Sequence, residues 1–106
     1  MGRIVNRGEL WLAHVGQKRR PVLVLTRSEV LDVRHLVTVA EVTTTIRGLA
    51  SEVEIDTVDV GFNQPSVVNC DGLHTITQSS LTGPVGQVGE EILRKVCTAT
   101  AYALGC

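Results

Sequence analysis

Apolar and polar positions alternate in short runs through the first three quarters of the chain and then change period. Glu9 to Val15 sets Leu10 and Leu12 on one face against Trp11 and Ala13 on the other, which predicts a first strand. Pro21 to Thr26 is nearly continuous in Val and Leu, the pattern of a strand buried on both faces, and Gly16-Gln17-Lys18-Arg19-Arg20 reads as the loop closing a hairpin between the two. After a polar connection over Ser28 to Arg34, the run Leu36 to Thr43 predicts a third strand with Val37, Val39, Glu41 and Thr43 on one face. Thr44 to Gly48 reads as a loop. Ser51 to Asp56 has the cleanest period of two, with Val53 and Ile55 inward and Glu52, Glu54 and Asp56 on a solvated outer face that would repel a polyanion. Asn63-Gln64-Pro65 breaks the chain before a fifth strand, Ser66 to Cys70, and Asp71-Gly72 turns it toward Leu73-His74-Thr75-Ile76.

The period then lengthens. Gly83-Pro84 excludes helix locally, but Gly89 to Leu104 carries Ile92, Leu93, Val96, Ala99, Ala103 and Leu104 at helical spacing, with Glu90 and Glu91 in the first turn and Gly105 as a stop. Five short strands and one terminal helix, with short turns and no internal repeat, predict a mainly β fold: a small, partly open antiparallel barrel covered by a C-terminal helix. A length of 106 residues and a hydrophobic content of 43% fit one domain over residues 1–106 with a modest core.

Charge changes the picture more than composition does. The formal net charge of -1 conceals a surplus of four in residues 1 to 35, where seven Lys or Arg oppose three acids, while residues 36 to 71 set one Arg against six acids. An anionic partner should therefore meet the surface built by the first third. Cys70, Cys97 and Cys106 form no C-x-x-C pair, and there is neither an apolar leader nor a membrane run of about 18 residues, so a reduced, cytoplasmic chain without membrane contact is expected. His14, His35 and His74 stand at no ligand spacing, and no metal or other cofactor is expected.

Candidate chemistry gathers at Lys18-Arg19-Arg20-Pro21. Proline fixes its own φ and biases Arg20 toward extended backbone, so that guanidinium is held where a strand begins and can be aimed at a phosphate. On charge alone the same residues read first as a solvated hairpin turn.

Arg7-Gly8-Glu9-Leu10-Trp11 followed by Arg20-Pro21-Val22-Leu23-Val24-Leu25 resembles the opening of the MazF/PemK family of toxin endoribonucleases, and the similarity continues through Val39-Ala40-Glu41-Val42-Thr43, Glu52-Val53-Glu54-Ile55-Asp56 and Ser66-Val67-Val68-Asn69-Cys70-Asp71. His74 departs from it, standing where the family often has arginine. The resemblance implies an SH3-like barrel and a cytoplasmic homodimer. It further implies that the chain cuts single-stranded RNA at a short sequence without a metal and is silenced by a cognate antitoxin. It also implies Arg20 and Thr43 as catalytic residues.

Metal-free cleavage by a ribose 2′-hydroxyl needs positive charge for the crowded phosphorane, and Arg20 offers it as an electrostatic stabiliser, since a guanidinium gives up its proton reluctantly. Gln17, Lys18 and Arg19 would track the RNA backbone. Asn69 and Asp71 could read base edges, though Asp71 could equally just make its turn, and His74 is placed among the binding residues. Trp11 is the one aromatic platform near the site, with a half-buried strand residue as its alternative role. Two other classes remain open: a protein-binding toxin on the same barrel, of the gyrase-poison type, and a non-catalytic RNA-binding barrel.

Overall fold

In a computed structural model that describes residues 4–56 and 62–106, Val15 and Lys18 pair across the two-residue turn Gly16-Gln17, with Gly16 at φ +63°. That left-handed backbone suits a residue without Cβ, and the tight turn fixes the antiparallel register of β1 (Glu9–Val15) on β2 (Lys18–Val24). Lys18, Arg19 and Arg20 therefore lie in the strand, opposite Val15, His14 and Ala13, rather than in the expected five-residue loop. Turn geometry sets the register here, and it overrides the weak strand preference of three successive charged residues.

β3 (Leu36–Thr43) pairs with β2, β5 (Ser66–Thr77) with β3, and β4 (Glu52–Ile55) with β5, all antiparallel. The sheet order is β4-β5-β3-β2-β1-β6, curled into a half-barrel. The sixth strand, β6 (Thr82–Gln87), was not expected: two glycines and a proline with a cis Gly83–Pro84 bond leave no apolar alternation to detect, and only pairing with β1 makes it a strand. Asp71-Gly72 likewise does not end a strand. It belongs to a bulge in a continuous β5, where Ala40 faces Leu73 but Glu41 faces Asn69.

Both faces of the central strands are buried. On one, Leu10, Leu23, Ala40, Val42, Val53, Ile55, Val68 and Cys70 form a core closed by Val96 and Ala99 of α1 (Glu90–Leu104), which packs on β4 and β5. On the other, Trp11, Ala13, Val15, Val22, Val24, Val37 and Val39 pack with Val5, Leu31 and Leu81. Each fully buried Leu or Val contributes about 1.5–3 kcal/mol, whereas the exposed Glu91–Lys95 pair at 3.9 Å is worth about 0.5 kcal/mol at most, so α1 is held by its apolar stripe. Gly105 ends the helix at φ 77°, as its position predicts. Among the described residues no helix is long and apolar enough to cross a membrane.

Gly8, at φ +88°, ties three elements together: its N–H donates to Val24 O, its carbonyl accepts from Val88 N, and a Cβ there would stand 3.1 Å from Leu93 Cδ1. The adjoining Arg7 guanidinium donates to Leu25 O and, at 3.0 Å, to Cys97 Sγ. This half of the first motif is thus packing rather than chemistry.

Leu23→Ala, at a site with no exposure, should cost about 2–5 kcal/mol in urea unfolding with the native topology retained. Burial pushes the Cys70 thiol above its usual range, partly opposed by the nearby Thr100 side chain and reinforced by Asp71 and Cys97. A raised thiol keeps its proton in the native state, so its contribution to stability is flat below about pH 8.5 and falls as pH rises beyond the free-thiol range. Alkylation of the native protein at neutral pH should accordingly mark the exposed Cys97 and Cys106 and leave Cys70 unmodified until denaturant is added.

Candidate active site

Strand alternation puts Lys18, Arg20 and Val22 on one face of β2, and register carries that face across the sheet: Val22 faces Glu41, Val39 faces His74, and Glu41 faces Asn69. It is the face opposite α1. Where its apolar core stops, Arg20, Glu41 and His74 meet. Glu41 Oε1 accepts from Arg20 Nη1 at 2.7 Å, and Glu41 Oε2 lies 2.6 Å from His74 Nε2. The three side chains are 26%, 20% and 30% exposed, sheltered enough for these charge-assisted contacts to be stronger than surface pairs and open enough for a ligand to reach them.

A cleft of ≈ 490 Å³ opens beside this group, its polar wall made by Lys18, Arg20, Glu41, Thr43, Arg47 and Asn69. A larger cavity of ≈ 800 Å³ surrounds Leu31 and Gln78, but the Gln78 amide is already committed to the Leu31 and Arg34 carbonyls, so size does not select the site. In the cleft, Arg20 Nε is buried without a hydrogen-bond partner. Such a donor costs about 1–3 kcal/mol until an acceptor reaches it, and a multi-oxygen anion is the acceptor that a guanidinium fork fits. Thr43 Oγ1 accepts from Thr45 N at 3.1 Å, and Asn69 Oδ1 from Asp71 N at 3.1 Å, leaving the Asn69 amide group as a donor.

Of the residues singled out in the sequence, the fold gathers Lys18, Arg20, Thr43 and Asn69 in the cleft and joins His74 to it through Glu41. Gln17 stands exposed in the turn and Arg19 on the opposite side of β2, both off the cleft wall. Asp71 lies on the bulge, its carboxylate accepting a hydrogen bond from the Ser51 hydroxyl at 2.5 Å. Trp11 is 1% exposed with its Nε1 donating to Glu9 Oε1, so it is core and offers no stacking surface. Among the described residues, no three His, Cys, Asp or Glu side chains come together as a metal centre requires.

Two features escaped the sequence. Glu41 was visible as a carboxylate on an otherwise apolar strand face, which demands a cationic partner, but the partner was unknowable without the register. Glu52 was expected on a solvated outer face that would repel a polyanion. Its pairing with Asn69 instead puts it on the cleft side, where Oε1 accepts from Arg47 N and Gly48 N at 2.9 Å each and pins the loop after β3.

Residues 6–104 match the family described as the PemK-like, MazF-like toxin of type II toxin-antitoxin systems. The chain belongs to this family. It is 52% identical over 75 residues to endoribonuclease MazF3 of Mycobacterium tuberculosis, an alignment covering 69% of this chain and 72% of that protein. The fold superposes on the M. tuberculosis toxin MazF-mt6 with a TM-score of 0.85 at 40% identity, covering 92% of this chain and 96% of the other. A mycobacterial endoribonuclease solved in complex with its cognate antitoxin gives a TM-score of 0.84 at 26% identity over 95% of both chains. The match spans both the strand that carries Arg20 and the terminal helix, so the residues of the cleft lie within it.

Because one carboxylate oxygen holds the loop amides, Glu52→Ala should raise hydrogen exchange at Arg47 and Gly48 by about tenfold or more, the equivalent of one lost hydrogen bond, while core amides of β2 and β3 stay protected.

Proposed function

We propose that this chain is a metal-independent toxin endoribonuclease of a type II toxin–antitoxin system. It acts in the cytoplasm as a homodimer of one-domain subunits, cuts single-stranded RNA at a short sequence, and is neutralised by a cognate antitoxin. The observation that carries this is the cleft: a guanidinium with one buried, unpartnered N–H, flanked by a lysine, a threonine hydroxyl and an asparagine amide.

Arg20 receives the scissile phosphate in this scheme. As the 2′-oxygen attacks phosphorus, negative charge grows on the non-bridging oxygens, and a donor aimed at that charge is worth about 3 kcal/mol. Being held in a strand opposite Ala13 of β1, with its guanidinium on Glu41, Arg20 needs little reorganisation to do so. Thr43 hydrogen-bonds the same phosphate from the end of β3. Lys18 supplies a neighbouring phosphate with a point charge, and Arg19 and Gln17 meet the RNA backbone beyond the cleft. Asn69, Asp71 and His74, strung along the β5 bulge, contact the bases, and with Trp11 in the core these contacts are polar. An acidic antitoxin segment would cover the same cations.

With excess EDTA and a long mixed-sequence RNA, the wild-type chain should give discrete cuts sharing a short motif and bearing 5′-hydroxyl ends. Arg20→Ala should lose about 10²–10³ in rate. Intact RNA with the wild-type protein would overturn the proposal. Lys18→Ala should retain the cut sites but weaken binding, and reduce the slope of log affinity against log salt by about 0.7.

A further inference from the structure

The cleft as described stabilises charge but assigns no group to the proton of the attacking 2′-hydroxyl. Arg20 is a poor candidate, because a guanidinium stays protonated under all ordinary conditions. Glu41 reaches the cleft wall, yet one of its oxygens accepts from Arg20 and the other contacts His74, so both oxygens are already engaged. His74 differs. Glu41 already accepts from the Arg20 guanidinium through Oε1, and a carboxylate only accepts hydrogen bonds, so the 2.6 Å contact of its other oxygen fits a ring whose proton sits on His74 Nε2. The neutral ring then carries its free lone pair on Nδ1, and Nδ1 makes no hydrogen bond among the described residues.

The carboxylate's position is built into the fold. A Cβ at Gly72 would stand 2.8 Å from Glu41 Oε2 and 3.1 Å from Asn69 Nδ2, although the Gly72 backbone itself does not call for glycine. The bulge in β5 thus brings a side-chain-free position against the oxygen that contacts His74. From this we infer that His74 is the proton carrier of the reaction and Glu41 its positioning residue, an assignment that rests on the ribonuclease function proposed above and goes beyond the binding role first given to His74.

The step balances as follows. His74 Nδ1 takes the 2′-hydroxyl proton as O2′ bonds to phosphorus. The P–O5′ bond breaks with its electron pair leaving on O5′, and the imidazolium returns one proton to that oxygen through a water. The products are a 2′,3′-cyclic phosphate and a 5′-hydroxyl end, with His74 neutral again. The charged groups facing the ring are Glu41 from β3 and, through it, Arg20 from β2; Asp71 on its own strand is turned to Ser51.

The test compares wild type, His74→Gln and Glu41→Gln for cleavage rate across pH, for RNA affinity, and for the His74 tautomer by ¹⁵N imidazole NMR. His74→Gln should cut about 10²–10⁴-fold more slowly, lose far less affinity for uncleavable 2′-deoxy-substituted RNA than would account for that, and lose the acid limb of the rate profile. In wild type at alkaline pH the ring should be the Nε2–H tautomer, and in Glu41→Gln a mixture, with slower cutting. Wild-type cutting by His74→Gln, or a loss of cutting that merely follows a loss of affinity, overturns the inference and leaves the ribonuclease intact. An Nδ1–H ring in wild type overturns it without any activity measurement, whereas failure of the wild-type chain to cut RNA removes the proposed function and this role with it.

Discussion

Burial of both faces of β2 and β3 is the constraint on which the rest depends. With apolar cores above and below, a charged side chain on these strands has only other side chains to satisfy it, and an uncompensated charge there would cost several kcal/mol. Arg20, Glu41 and His74 therefore occur as a connected group at the margin of one core, where a third or less of each side chain meets water. The chemistry is placed where the apolar packing runs out.

The two faces divide the work. On the helix side, Val96 and Ala99 close a core over β4 and β5, and even an arginine there, Arg7, spends its donors on Leu25 O and Cys97 Sγ. On the opposite side the same strands present Lys18, Arg20, Thr43 and Asn69 to one cleft. Groups held on paired strands vary less in position than groups on loops, which suits the proposed role of this cleft in stabilising charge. The loop after β3, which borders the cleft, is tethered by Glu52 and by Thr43.

Irregularity in β5 shapes the cleft. The residues inserted between the Glu41–Asn69 and Ala40–Leu73 pairs let Asn69 and His74 approach one glutamate from two directions, and Gly72 leaves room for the carboxylate between them. A regular strand would have paired Glu41 with a single partner.

The sequence by itself determined the elements whose cause is local. β1, β3 and α1 lie where alternation, helical spacing and Gly105 put them, because period and termini are properties of contiguous residues. The family was legible as well, since its motifs are contiguous. Only tertiary structure decided the rest. β6 exists through pairing with β1, the basic triplet is strand because a two-residue turn sets its register, and Glu52 faces the cleft because Asn69 is its partner. Arg20, Glu41 and His74 come from three strands as far as 54 positions apart in sequence numbering, and no local preference encodes a contact that pairing register alone creates.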